Sequence, residues 1–145
     1  GARAFPDDWQ FRMCRLYLLA WSPAVTPDVR QAWRMLSELD SLAGPDRRPW
    51  LRPQMTLVVA AVLAAAGKRD SAERVIARAS GGEGGPDLIY YEALARVRLG
   101  QRDAAITLLV ELLQRLPNHA PYLRGHGAFA DLWADPRLAA AGSSM

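Results

Sequence analysis

The chain has 145 residues, a net charge of +3 and a hydrophobic content of 50%. This length and composition allow one domain with a buried core and exclude a disordered chain. Cys14 is the only cysteine, which excludes an intramolecular disulfide and a zinc site built from cysteines. The longest apolar run, 55–66, is shorter than the roughly 20 residues of a membrane span. We therefore predict no membrane span and expect a cytoplasmic location.

A first pair of helices is predicted over 7–44, because apolar residues recur there at helical spacing and nothing alternates like a strand. The second helix of this pair has a clear start. Thr26 suits the cap, Pro27 the first helical position, and Asp28 the positive end of the helix dipole. Gly44, followed by a proline, is expected to end this helix.

A repeat is predicted over 50–85, after a short charged loop at 46–49. Its first helix is apolar nearly all round, which is typical of a helix covered on most faces. Its second helix is expected to be capped by Asp70, with Glu73 three residues later at the capping-box spacing. The glycines of 81–85 indicate a flexible loop, because a phosphate loop would follow a strand and continue into Lys-Ser or Lys-Thr.

A second repeat is predicted over 86–118, and short capping helices over 121–141. Gly100 is expected to separate the two helices of this repeat. In the last segment, Asp135 precedes Pro136, which is the cap-then-proline start of a helix.

Self-similarity is the most informative feature of the sequence. The heptapeptide AGKRDSA at 66–72 recurs as LGQRDAA at 99–105, and the two glycines are offset by 33 positions. This offset is close to the period of about 34 residues in tetratricopeptide units. Small residues recur where paired helices would cross closely, and a larger side chain there would push the helices apart. These residues are Ala60, Ala72, Ala93 and Ala105.

The repeat resembles the tetratricopeptide (TPR) family, and the ending FADLWADPRL at 129–138 is similar to the close of TPR regions in large bacterial regulators. The resemblance implies a single all-α domain over 1–145. Its fold would be a TPR-like superhelix, a solenoid of antiparallel helix hairpins with about three helix pairs plus short C-terminal capping helices. The pair at 7–44 matches only loosely, so it is a degenerate unit. Glu92 and Arg96 depart from the pattern, since the family usually has apolar or aromatic residues there.

The resemblance implies a non-enzymatic protein–protein interaction or scaffold module, such as the regulatory C-terminal part of a larger bacterial protein. A structural accessory subunit of a multiprotein complex is one alternative. A nucleic-acid-associated regulator domain is another, because all but one of the 18 basic residues are Arg and because Arg47, Arg48 and Arg52 cluster. Nucleic acid is the less favoured partner, since the arginines are interleaved with Asp and Glu.

In a TPR arrangement, the first helix of each unit lines a concave groove. A protein or peptide partner with an apolar segment would bind there, or the N-terminal helix of the chain would fill the groove. The chain could also form a homo-oligomer. The residues that family members use to grip a carboxylate are absent. The residues of the predicted groove are Gln54, Leu57, Ala61, Asp87, Tyr90, Leu94, Val97 and Arg98.

No catalytic residue, metal ligand or cofactor is predicted. His119 and His126 are the only histidines, and a metal site would need more ligands close to them. Asp131 and Asp135 lie four residues apart, but Asp135 is better explained as a helix cap. Cys14 has no orienting group that would make it a nucleophile, and its apolar neighbours predict a buried position.

Overall fold

A computed structural model describes residues 8–21, 26–79 and 86–143, and within these ranges the chain is helical without any β-strand. The predicted loop at 81–85 lies outside them. No described helix combines the length and the apolar character that crossing a membrane requires. The helices are α1 (Asp8–Trp21), α2 (Val29–Ala65), α3 (Arg69–Ala79), α4 (Asp87–Arg98), α5 (Arg102–Arg115), α6 (Ala120–Arg124) and α7 (Pro136–Ser143), with 3₁₀ segments at Pro117–His119 and Gly127–Ala134.

Helix α2 is broken at Gly44, where φ is 76° and ψ is 171°. The parts before and after this residue fold back on each other, because Leu36 lines the same small cavity as Met55. In a straight helix these residues would be about 28 Å apart. The prediction that a helix ends at Gly44 is confirmed, but the predicted loop at 46–49 is wrong. Pro45 can take the first helical position, where no N–H is needed, so the helix resumes at once.

The start of α2 differs by two residues from the expected one. Asp28, and not Thr26, is the cap: its carboxylate accepts the N–H of Gln31 at 3.0 Å, and its backbone is extended. A carboxylate at this position satisfies a free N–H group and also faces the positive end of the helix dipole. The helix therefore begins at Val29.

The capping box predicted at α3 is wrong. The carbonyl of Lys68 accepts the N–H of Ala72 at 3.0 Å, so Lys68 is the cap and Asp70 lies inside the first turn. Glu73 reaches away from its own helix and accepts hydrogen bonds from Arg96 at 3.0 Å and from Gln101 at 2.6 Å. These bonds join α3 to the end of α4 and the start of α5.

This polar junction accounts for the two charged residues that depart from the TPR pattern. Arg96 also donates to Gln101 Oε1 at 2.7 Å, and it lies 3.5 Å from the Glu92 carboxylate. The Arg96 and Glu92 side chains are only 20% and 19% exposed. Where apolar side chains were expected, a paired and partly buried ionic cluster connects the two repeats.

Gly67 turns the chain from α2 into α3. Its φ is 82°, a left-handed conformation that side chains with a Cβ rarely adopt. The N–H of Gly67 donates to Ala64 O at 3.1 Å, and the N–H of Lys68 donates to Leu63 O at 2.8 Å. This pair of bonds is the Schellman motif, which satisfies the last carbonyls of the helix.

Gly100 repeats the same turn between α4 and α5. Its φ is 76°, its N–H donates to Val97 O at 3.0 Å, and the N–H of Gln101 donates to Arg96 O at 2.9 Å. The hydrogen bonds match those at Gly67 position for position. The two bends are therefore equivalent, as the sequence repeat predicts.

Helices α1, α3 and α4 pack on α2, α5 packs on α4, and α7 packs on α5. The expected cover on the first helix of the repeat is confirmed, since every residue of 57–63 is at most 4% exposed. The alanines expected at close crossings, Ala60, Ala72, Ala93 and Ala105, are fully buried.

The predicted cap at the C-terminal end is confirmed. Asp135 accepts the N–H of Arg137 at 2.9 Å and lies just before α7. The Arg137 guanidinium binds both carboxylate oxygens of Asp135 and also reaches Asp103, at 2.8 Å, in the first turn of α5. Hydrogen bonds from Arg137 lower the pKa of Asp135 to about 2. The Asp-Pro-Arg sequence thus caps one helix and ties it to another.

Candidate functional site

Three residues of the predicted groove lie in the core. Leu57 is fully buried, and Ala61 and Leu94 are 1% exposed. Val97 is half-buried and packs against the core of the C-terminal half. These four side chains hold the helices together and are not an open surface.

Trp21, at the end of α1, covers Arg98, another predicted groove residue. The Arg98 guanidinium carbon lies 4.3 Å from the centre of the Trp21 ring, which is a cation–π contact. Burial lowers the pKa of Arg98. Trp21 also meets the ring of His126 edge-on, with ring centres 6.3 Å apart. The N-terminal helix therefore fills this part of the groove, one of the two arrangements that the sequence left open.

The remaining predicted residues, Gln54, Asp87 and Tyr90, line an open cleft with a volume of about 450 Å³. We call it the tyrosine cleft. Gln54 is 6% exposed, so mainly the other two present side-chain surface to solvent. The cleft is completed by five residues that the sequence reasoning missed: Tyr91, Leu112, Asn118, His119 and Tyr122.

Tyr90 is the centre of an aromatic cluster at this cleft. Its ring centre lies 5.0 Å from that of Tyr91, 5.9 Å from that of Tyr122, and 6.0 Å from that of the buried Phe129. The hydroxyls of Tyr90 and Tyr122 are 3.3 Å apart and share a hydrogen bond. Tyr122 is 60% exposed, so its ring forms an aromatic wall that solvent can reach.

His126 joins the same cluster and has a structural task. Its Nδ1 accepts the N–H of Ala128 at 3.1 Å and caps the second 3₁₀ segment. Its ring lies 5.0 Å from Phe129 and 5.8 Å from Tyr90. Burial lowers the pKa of His126, which favours the neutral ring that this bond requires.

The charge of the tyrosine cleft is acidic. Among the lining residues that the structure describes, Asp87 is the only Asp, Glu, Lys or Arg, and it is exposed at the first turn of α4. Among the ion pairs that the described ranges contain, none involves Asp87. Deeper in the lining, His119 Nδ1 is buried without a hydrogen-bond partner among these residues.

A second cleft, of about 340 Å³, lies where α3 meets the folded-back parts of α2. Trp33 is 41% exposed there, and Arg52 and Arg78 give this cleft a basic lining. Part of that charge is offset, because Arg52 lies 3.8 Å from the carboxylate of Asp40. We call it the Trp33 cleft.

The two clefts offer surfaces for recognition more than they offer sets of reactive side chains. Within the ranges that the structure describes, no three His, Cys, Asp or Glu side chains are grouped to hold a metal ion. Cys14 is exposed on α1, so the prediction that it is buried is wrong. Its position on the exposed face of α1 follows from which face packs on α2, which its sequence neighbours did not reveal.

The tyrosine cleft combines residues that are distant in sequence, and little in the sequence indicated that Tyr122 would form one of its walls. Tyr122 follows Pro121 in a short helix whose orientation no local pattern specifies.

Comparison with known proteins adds no relative: no protein-family model matches the chain, and no curated protein or solved structure shows a significant match.

Proposed function

We propose that this chain is a TPR-like protein-interaction module that binds part of a partner protein in the tyrosine cleft. The observation that carries the proposal is the open cleft of about 450 Å³ with the 60%-exposed Tyr122 on its wall. Tyrosine is enriched at protein interfaces, because its ring supplies apolar area and its hydroxyl supplies a hydrogen bond at a small entropic cost.

The helical stack supports the same proposal. Equivalent Schellman bends at Gly67 and Gly100 repeat one hairpin, and repeated hairpins produce extended surfaces for binding. Trp21 and the core side chains occupy most of the predicted groove. We therefore assign partner binding to its open end, at Tyr90 and Tyr122.

The ion pairs argue for a protein partner over nucleic acid. Arg96, Arg115 and Arg137 each lie within 3.2 Å of a carboxylate, and Arg48 lies near Asp40. Arginines that are paired internally neutralise phosphates poorly. A nucleic-acid role would instead require a continuous unpaired basic surface.

The test is affinity capture from native lysate with quantitative mass spectrometry, comparing the parent chain with Tyr122→Ala and Trp33→Ala. The side chains of Trp33 and Tyr122 are 41% and 60% exposed, so both variants are expected to fold. We expect Tyr122→Ala to lose the captured partner and Trp33→Ala to keep it. The reverse result would assign binding to the Trp33 cleft. Capture that neither substitution changes would favour a structural spacer and overturn the proposal.

A further inference from the structure

We propose that the tyrosine cleft recognises a cationic side chain, arginine or lysine, presented by a segment of the partner; this inference rests on the proposed function. The cleft volume of about 450 Å³ lies within the range of about 300–1,000 Å³ typical of ligand sites. One long side chain with its adjoining backbone fits such a space.

Charge complementarity is the first argument. Asp87 supplies a carboxylate at the cleft, and among the residues that the structure describes no Lys or Arg lines the cleft and no ion pair engages Asp87. The whole chain carries a net charge of +3. The carboxylate at the cleft attracts a cation locally, although the positive net charge of the whole chain would repel one.

The orientation of the rings is the second argument. Tyr90 makes an angle of 79° with Tyr91 and 51° with Tyr122, so the three rings are inclined to one another and not stacked. Tyr122 lines the cleft and is 60% exposed, so part of its ring surface is open to a ligand. A cation is attracted to the face of an aromatic ring by the ring quadrupole, most strongly where water is partly excluded.

Within the described residues, the chain makes the same kind of contact at two other places. The Arg98 guanidinium lies 4.3 Å from the Trp21 ring centre, and the Arg124 guanidinium lies 5.0 Å from that of Trp133. The cleft also carries oxygen acceptors, because the hydroxyls of Tyr90 and Tyr122 lie together at 3.3 Å. A guanidinium or ammonium group would find a carboxylate, hydroxyl oxygens and aromatic faces within one site.

The test is titration calorimetry with four acetylated and amidated alanine-based pentapeptides that carry arginine, lysine, citrulline or glutamate at the centre. Citrulline keeps the shape of arginine without its charge. We expect the arginine and lysine peptides to bind about five- to tenfold more tightly than the citrulline peptide, and the glutamate peptide to bind least. Because the chain has a net charge of +3, nonspecific attraction would favour glutamate instead.

Two variants test the site directly. Asp87→Asn removes the charge with little change of shape, and Tyr122→Ala removes the exposed wall. Each is expected to weaken binding of the cationic peptides and to leave the circular dichroism spectrum unchanged. The matched control is Asp131→Asn, which neutralises an exposed aspartate outside the cleft and should leave binding unchanged.

Equal binding of the citrulline and cationic peptides, or equal effects of Asp87→Asn and Asp131→Asn, would overturn the inference. Failure here is distinguishable from failure of the proposed function. If Tyr122→Ala abolishes partner capture while no peptide shows charge selectivity, only the inference about the cation is wrong. If capture does not depend on Tyr122 at all, the cleft is not the interaction site.

Discussion

In the part of the chain that the structure describes, three glycines with positive φ reverse the chain between helices, but only two of these bends are closed in the same way. Gly67 and Gly100 have φ of 82° and 76°, and the next residue donates its N–H to the preceding helix. Gly44 has φ of 76°, yet Pro45 follows it and has no N–H to donate. The Schellman bond therefore cannot form at Gly44.

The residue after the glycine thus decides how the bend is built. Lys68 and Gln101 close the old helix with the N–H and cap the new helix with the carbonyl. Pro45 has no N–H for the first task, and the second helical part starts directly after Gly44. The hairpin at Gly44 is held by packing between its two helical parts. The hairpins at Gly67 and Gly100 are held by packing and also by backbone hydrogen bonds.

The largest effect is expected at the close helix crossings of the regular hairpins. Ala93→Leu and Ala105→Leu should each destabilise the fold by about 1–3 kcal/mol, because both positions are fully buried and an added side chain overpacks the crossing. Urea unfolding measures the change in stability, and Ala77→Leu, at an exposed position, is the control. If all three variants were equally stable, close packing at these alanines would be contradicted.

The polar junction is expected to contribute somewhat less. Arg96→Met should destabilise by about 1–2 kcal/mol, because it removes the guanidinium that pairs with Glu73 and with the partly buried Glu92. A double mutant with Glu73→Gln should lose less than the sum of the single effects. Additive losses in urea unfolding would show that the junction is not a coupled network.

The glycine bends themselves are expected to give a smaller and matched loss. Gly67→Ala and Gly100→Ala should each cost about 1 kcal/mol, because a Cβ is disfavoured at positive φ while no atom lies within 4 Å of it. Urea unfolding of the two variants should give the same shift within error. Clearly unequal costs would break the equivalence of the two bends.

The smallest effect concerns the C-terminal cap, where side chains and not glycines close the turns. Burial holds the pKa of His126 below its ordinary value of 6.5. The unfolded chain therefore takes up a proton first, so stability is complete above about pH 6.5 and declines as the pH falls through the folded pKa. The thermal midpoint should drop between pH 7 and 5, and it should drop less in His126→Asn, which keeps a capping acceptor. An identical decline in both proteins would exclude this role.

Asp135 should act in a separate and lower window. Its pKa is lowered from 3.8 to about 2, so its contribution is present above about pH 4 and is lost as the pH falls towards 2. The two titrating caps can therefore be told apart by pH, whereas the bends at Gly67 and Gly100 are closed by backbone N–H and C=O groups, which do not titrate.

Local patterns determined the parts of this protein that depend on neighbours in sequence. The heptapeptide repeat predicted the equivalent bends, the cap-then-proline pattern predicted the Asp135 cap, and the all-round apolar character of the helix before Gly67 predicted that most of its faces are covered. Caps and bends are closed by hydrogen bonds that span only a few residues, so the sequence nearby contains the information.

Tertiary structure alone decided which surfaces remain open. Helix α1 places Trp21 over Arg98, the core takes Leu57 and Leu94, and Tyr122 meets Tyr90 across 32 residues of sequence. These outcomes depend on the order and the angles in which whole helices pack. Many weak contacts contribute to that packing, and no local sequence spacing specifies it. The sequence by itself therefore determined a helical repeat with glycine bends, and only packing determined where that repeat offers a site.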